Sequence, residues 1–231
     1  MERLRVIEET VIEEIVIEET ATTGHASPRQ VWYLSYGSNV DLGRLAYYLT
    51  GGRPPGAARA YRGCRDPRPP ERSVPVEVAG AVYFATESPV WGGGRAFYDP
   101  DAPGRVLGRA HLVTAGQFSD IAAQEMYGEP GTDLDLAGVV SGGRVVRGEG
   151  RYETLVCPGA LDGAPVVTFT AHWGVGDVEP NAPSAAYLAF LGRGLLAAGA
   201  WDVETVVAYV AACSGVSGRW TEREIRGLVG G

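Results

Sequence analysis

Apolar and polar positions change rhythm several times along this chain, and the changes divide it into elements. Val31 to Tyr36 is a compact β-favouring run that stops at Gly37-Ser38-Asn39. Asp41 to Leu49 then reads as a helix, with Leu42, Leu45, Ala46 and Leu49 at i, i+3, i+4 and i+7. Short strands are predicted over 76–86, 95–98 and 106–113, with a Gly-rich turn at 92–94. A helix follows with clear start signals: Thr114 and Gln117 match a capping box, and Val113 with Phe118 supplies a hydrophobic staple. It runs to about Met126 and stops before Gly128 and Pro130. Further strands are expected over 139–156 and 166–171, and helices over 184–198, 202–213 and 220–228. A strand-rich centre bracketed by helices predicts an α+β fold, a small mixed β-barrel or sheet flanked by helices.

Residues 6–20 break this pattern. They repeat VIEET, VIEEI, VIEET. A five-residue period turns about 140° per unit on a helix and flips faces on a strand, so neither structure presents one apolar side. The chain is therefore divided into an acidic repeat tail and linker, 1–30, and a single domain, 31–231. The tail reads either as a mobile acidic segment or as a short element docking on a protein partner through residues 1–20.

Charge sharpens this division. The net charge is −8, and residues 1–20 alone hold seven Glu and two Arg. The rest carries 21 acidic and 18 basic side chains, so the body is near neutral and gives no support for nucleic-acid binding. Arg53, Arg59, Arg62, Arg65, Arg68 and Arg72 crowd one Pro-rich stretch. That stretch reads as a solvated loop or as a positive rim attracting carboxylates. Every basic side chain is Arg; the absence of Lys excludes a P-loop lysine, a Schiff base and a Ser–Lys dyad. Cys64, Cys157 and Cys213 are isolated, and no HxE or HExxH pattern occurs, so neither a disulfide framework nor a metal site is read. No apolar stretch is long enough to span a bilayer and no signal peptide is evident, so the expected location is cytoplasmic, with no membrane contact.

Two features point to chemistry. The strand–turn–helix around Tyr36-Gly37-Ser38-Asn39 sets backbone N–H groups at a helix start, a ready anion site. On the helix after Thr114 the apolar stripe is Phe118, Ile121, Ala122 and Met126, and its i+7 place is Glu125. Asp120 and Gln124 fall off that stripe, where polar residues are expected. A carboxylate on an apolar face is costly unless paired or lining a cavity, and desolvation would make it a base near neutral pH. The plainer reading is a Glu at the stripe's rim, reaching solvent or an Arg. A thiol enzyme using Cys64 or Cys157 with His111 or His172 has no nucleophile motif behind it.

Tyr33-Leu34-Ser35-Tyr36-Gly37-Ser38-Asn39 followed by a helix resembles the YGSN motif of γ-glutamylcyclotransferases. Further pieces occur in the same order: Trp91 in a Gly-rich turn, residues 106–114 leading into a helix with Gln124-Glu125, and Pro183-Ser184-x-x-Tyr187. The resemblance covers about residues 31–197. It implies a γ-glutamylcyclotransferase-like fold and a cofactor-free, metal-independent enzyme acting on a small γ-glutamyl substrate. The substrate's own α-amino group would attack its γ-carbonyl, giving 5-oxoproline and a released amine. It implies Glu125 as acid/base and the backbone of Gly37, Ser38, Asn39 and Val40 as substrate cradle, with Tyr36 and Tyr187 as pocket walls. The chain departs from the family at 166–170, Val-Val-Thr-Phe-Thr, where a pocket-facing Tyr is frequent, and at Met126, where Gly is frequent. Relatives act on γ-glutamyl amino acids, glutathione, γ-glutamyl amines or γ-glutamyl-protected natural products. A domain of this fold that binds without turnover is the competing reading, and the direction of Glu125 discriminates the two.

Overall fold

The computed structural model describes residues 4–7, 27–54 and 60–230. Nine strands are described: β1 (Leu4–Val6), β2 (Gln30–Ser35), β3 (Arg72–Ala79), β4 (Ala81–Ala85), β5 (Arg95–Asp99), β6 (Arg105–Thr114), β7 (Arg144–Val146), β8 (Thr154–Leu161) and β9 (Ala164–Thr170). Six α-helices accompany them: α1 (Leu42–Thr50), α2 (Ala115–Glu125), α3 (Ala137–Gly142), α4 (Ala185–Ala197), α5 (Val203–Ala212) and α6 (Glu222–Val229). Seven strands form one sheet in the order β1-β3-β6-β2-β9-β8-β7, and β4 with β5 forms a separate hairpin. The sheet curls, bringing Leu4 of its first edge strand against Gly159 of β8. The α+β expectation holds, with a half-barrel sheet between two groups of helices.

The core follows from the alternation of β2. Val31 and Tyr33 point into one apolar cluster with Leu45, Phe118, Ile121 and Val139, from α1, α2 and α3. Trp32 and Leu34 point into the other, with Leu188, Leu191, Val206, Val210 and Ile225, from α4, α5 and α6. A strand buried on both faces needs a continuous apolar run, which β2 has. Each such side chain contributes about 1.5–3 kcal/mol on burial.

One junction in the sheet is unlike the rest. β2 pairs with β9 in parallel, through Trp32↔Val166 and Tyr33↔Val167, whereas the other strand pairs are antiparallel. Side chains extend this short seam: Thr168 Oγ1 donates to the Leu34 carbonyl at 2.8 Å, and the Tyr36 hydroxyl to the Phe169 carbonyl at 2.7 Å. The β4–β5 hairpin is tied to the end of β9 by the Tyr98 N–H, which donates to Thr170 Oγ1 at 3.0 Å.

Several expectations change. The predicted strand over 76–86 is two strands in different sheets, because Gly80 takes a left-handed backbone (φ 122°) and breaks the run. Val139 and Val140 lie in α3 rather than in a strand. Leu4–Val6, expected within the tail, pair with β3 as an edge strand of this sheet. The rest of the acidic repeat, 8–20, lies outside the described residues. No helix among the described residues is long and apolar enough to cross a membrane.

Candidate active site

The turn after β2 is a short 3-10 turn, Ser38–Val40, followed directly by α1, whose N-cap Asp41 accepts from the Arg44 N–H at 2.7 Å. This turn is wedged between α4 and a buried histidine. His111 is fully buried; its Nδ1 meets Ser73 Oγ at 2.8 Å and its Nε2 meets the Asn39 carbonyl at 3.2 Å. A carbonyl only accepts, so Nε2 carries the proton and Nδ1 accepts from Ser73. Burial, then neighbouring Arg109, pushes the His111 pKa down to about 3, so the ring is a neutral prop for the turn.

A cleft opens in front of the turn. Tyr36, Gly37, Ser38, Asn39, Glu125 and Tyr187 all line it, so six of the seven sequence-predicted site residues meet in one place. Val40 does not. Its N–H donates to the Gly37 carbonyl at 3.1 Å and its side chain is buried in the core, so it shapes the turn from behind. The Ser38 N–H already donates to the Tyr187 hydroxyl at 3.2 Å, which narrows the expected backbone cradle to Gly37 and Asn39.

Glu125 is the last residue of α2, half-buried, with its carboxylate in the cleft. Oε1 accepts from the Tyr48 hydroxyl at 2.5 Å and from Asn39 Nδ2 at 3.3 Å. Asn39 Nδ2 also donates to the Tyr33 hydroxyl at 3.2 Å. Burial raises the Glu125 pKa, against the Tyr48 hydrogen bond and the charges of Arg44, Arg151 and Arg95, which lower it. Burial likewise raises the hydroxyls of Tyr33, Tyr48 and Tyr187, with Glu125 as the second cause, and that of Tyr187 is pushed up to about 12. Glu125 is thus a carboxylate surrounded by phenols that stay protonated.

Sequence reasoning missed Arg44. It is 2% exposed, and its guanidinium lies over the rings of Tyr48, Tyr61 and Trp91 at 4.8, 4.5 and 5.4 Å. Nη2 donates to the hydroxyls of Tyr48, at 3.4 Å, and Tyr61. Burial works against this charge, but Tyr48, Tyr61 and Glu125 outweigh it. Arg44 Nε and Nη1 and Asn39 Oδ1 are buried cleft atoms without a hydrogen-bond partner among the described residues. Unsatisfied buried polar groups are uncommon, and three of them lie on two neighbouring residues of this site. Arg95 and Arg151 complete the cationic lining. Arg151 Nη2 donates to the Glu125 carbonyl at 3.0 Å, and its guanidinium stacks 4.1 Å from the Tyr127 ring.

The off-stripe side of α2 is also buried, contrary to expectation. Asp120 and Gln124 face the 60–68 loop rather than water. Gln124 Oε1 accepts from the N–H groups of Arg62 and Gly63 at 3.2 and 3.1 Å, and Nε2 donates to the carbonyls of Tyr48 and Asp120 at 3.0 and 3.2 Å. Four of the six arginines in the Arg-rich stretch are paired rather than free: Arg62 with Glu129, Arg65 with Asp120 and Asp133, Arg68 with Asp66, and Arg72 with Asp162, while Arg59 lies outside the described residues. Of the groups in the thiol reading, His111 is engaged by Ser73 and Asn39, and burial raises the thiols of Cys157 and of Cys64, the latter to about 12. Among the described residues no cluster of His, Cys, Asp and Glu could hold a metal ion.

No protein-family model matches the chain. Histone deacetylase 5 of Arabidopsis thaliana is 30% identical over 200 residues, which cover 78% of this chain and 30% of that protein. This chain therefore spans under a third of that relative's length. Two solved structures are similar at low identity. An uncharacterized protein of Homo sapiens matches with a TM-score of 0.47 and 19% identity, over 88% of this chain and all of that one. A gamma-glutamyl cyclotransferase matches with a TM-score of 0.44 and 16% identity, over 87% and 99%.

Proposed function

We propose that this domain cyclises a γ-glutamyl amide to 5-oxoproline and releases the amine, with Glu125 as acid and base. The observation that carries the reading is the Glu125 carboxylate. It is desolvated, aimed into the cleft, and held beside the 37–39 turn by Tyr48 and Asn39.

The reaction asks for little beyond this. Folding the substrate so that its own amine faces its γ-carbonyl makes the attack intramolecular, and proximity supplies much of the acceleration. The ammonium would sit between two acceptors, Glu125 and Asn39 Oδ1, and give a proton to Glu125. The freed nitrogen attacks the γ-carbonyl carbon, and the carbonyl π electrons move to oxygen. As the oxyanion collapses, the bond to the leaving nitrogen breaks and Glu125 gives that nitrogen its proton. Glu125 then takes the second proton from the ring nitrogen and passes it to the released amine, leaving a neutral lactam and an ammonium product. N–H groups of Gly37 and Asn39 and the neutral phenols are donors suited to the substrate's carboxylate and oxyanion.

The test is 5-oxoproline release from a panel of γ-glutamyl compounds, wild type against Glu125→Gln. Gln keeps the shape and the hydrogen-bond acceptor but cannot take a proton, so activity should vanish. Retained turnover would remove Glu125 from the role.

A second reading, a non-catalytic binding domain of the same fold, has one observation behind it. The similar stretch in the Arabidopsis deacetylase is part of a much longer protein. It predicts that wild type and Glu125→Gln bind γ-glutamyl compounds equally and that neither releases 5-oxoproline. The deacetylase activity named for that relative is not proposed for this domain, which matches under a third of it.

A further inference from the structure

The cleft holds more positive charge than a glutamyl group needs. Its lining includes three guanidinium groups, Arg44, Arg95 and Arg151, and one carboxylate, Glu125. None of the three makes an ion pair among the described residues, whereas Arg62, Arg65, Arg68, Arg72, Arg105, Arg144 and Arg226 each do. Other arginines also lack an ion pair among the described residues, Arg53, Arg147 and Arg223 among them; what sets these three apart is that they line one cleft beside a single carboxylate.

The three differ in access. Arg44 is caged by aromatic rings, and its Nη2 is spent on Tyr48 and Tyr61, so it acts on the Glu125 end as a fixed charge. Arg95 and Arg151 are half-buried at the wall. Each commits Nη2 to a backbone carbonyl, of Glu87 and of Glu125, and its Nε and Nη1 make no hydrogen bond among the described residues. The Tyr152 hydroxyl donates to the Ala96 carbonyl at 2.9 Å, which brings the segments carrying Arg151 and Arg95 together. Two guanidiniums at one wall make an anion subsite.

We infer that Arg95 and Arg151 form a second anion subsite, which takes a carboxylate carried by the leaving amine. The inference rests on the γ-glutamyl reading and narrows it. The zwitterionic glutamyl unit brings no net charge, and with Glu125 ionised the three arginines leave the site at net positive charge. A γ-glutamyl amino acid brings one negative charge and matches the site. A γ-glutamyl amide of an uncharged amine brings none, and one with a cationic tail opposes it.

The experiment compares γ-glutamyl-alanine with γ-glutamyl-alaninamide, which differ in the leaving-group carboxylate alone, by 5-oxoproline release. Wild type should favour the acid in kcat/KM by about tenfold, the scale of one charged hydrogen bond. In Arg95→Gln and Arg151→Gln the acid-to-amide ratio should fall toward one, through KM for the acid. The ratio is the readout because Arg151 also touches Glu125, so a general loss of turnover would not move it. Equal use of acid and amide by wild type, or a ratio unchanged in both variants, overturns the subsite and leaves the γ-glutamyl reading standing. No 5-oxoproline from either compound overturns both.

Discussion

Gly194, in the C-terminal part of α4, is the place where the substrate turn can be displaced without touching the cleft. A Cβ there would lie 2.5 Å from the Asp41 backbone nitrogen, 2.7 Å from Val40 Cγ2 and 2.8 Å from the Val40 carbonyl carbon. Non-bonded heavy atoms settle at about 3.5–4.0 Å, so Gly194→Ala demands roughly 1 Å of movement. The obstacles are backbone and a buried valine, which cannot swing aside as a flexible chain end would. Relief must shift the 38–41 turn as a unit, and Asn39 with it. Overpacking costs about 1–3 kcal/mol. Replacing Gly by Ala inside a helix returns about 1 kcal/mol. A net loss of up to about 2 kcal/mol should lower Tm by up to about 8 °C in a chain of this size. Turnover should suffer more, because a misplacement of about 1 Å can cost about 100-fold. Gly227→Ala is the control: it lies exposed in α6 with open space around it, and should gain about 0.8–1 kcal/mol without altering turnover. Thermal melts and 5-oxoproline kinetics read both variants. Gly194→Ala with turnover within twofold of wild type would refute the idea that α4 fixes the turn.

Further outcomes follow from the same geometry. Glu125 must be ionised to accept a proton, and its pKa is raised, so kcat/KM should fall with acid at a pH above the ordinary glutamate range. Tyr48→Phe removes a hydrogen bond that favours the ionised form, so that limb should move to higher pH; an unmoved limb would mean Tyr48 does not set it. The raised pKa also means the folded chain holds this proton more tightly than the unfolded chain. Stability is therefore lost as pH rises from the ordinary range through the raised value. Gln at 125 escapes that loss, so Glu125→Gln should melt higher than wild type at neutral pH, with the gap closing toward acid. Gln124→Leu would strand the Arg62 and Gly63 N–H groups; at about 1–3 kcal/mol per unpaired group, it should destabilise by at least about 2 kcal/mol in a denaturant titration.

Local signals were the legible part of this fold. The strand at Val31, the capping box at Thr114 and Gln117, and the starts of the helices near 184 and 202 stand where the pattern put them, because each is decided by neighbours a few residues away. Glu125 was legible because it interrupts an apolar stripe. Arg44 and Tyr48 were not. The α1 stripe was read as Leu42, Leu45, Ala46 and Leu49, but the buried side is Arg44, Leu45, Tyr48 and Leu49, and Leu42 is 42% exposed. Half of that helix faces a polar cleft instead of hydrocarbon, so its apolar residues do not mark its inner side. Asp120 and Gln124 misled for a related reason. Their partners are main-chain groups of a loop some 60 residues earlier, which no periodicity reports. The same distance hid the β1–β3 pairing.

The parallel seam between β2 and β9 has a consequence for how this protein acquires its site. It joins residues more than 130 positions apart, and the cleft draws Asn39 from one side of it and Phe169 and Arg151 from the other. Contacts this distant in sequence carry a large loop-closure cost and slow the search for the native state. The cleft therefore comes into being only when the two antiparallel halves meet, late in assembly. A ligand that bridges the halves adds its binding free energy to that joint. It should slow the parting of the halves more than the fraying of either, which makes the rate of unfolding itself a gauge of what the cleft holds.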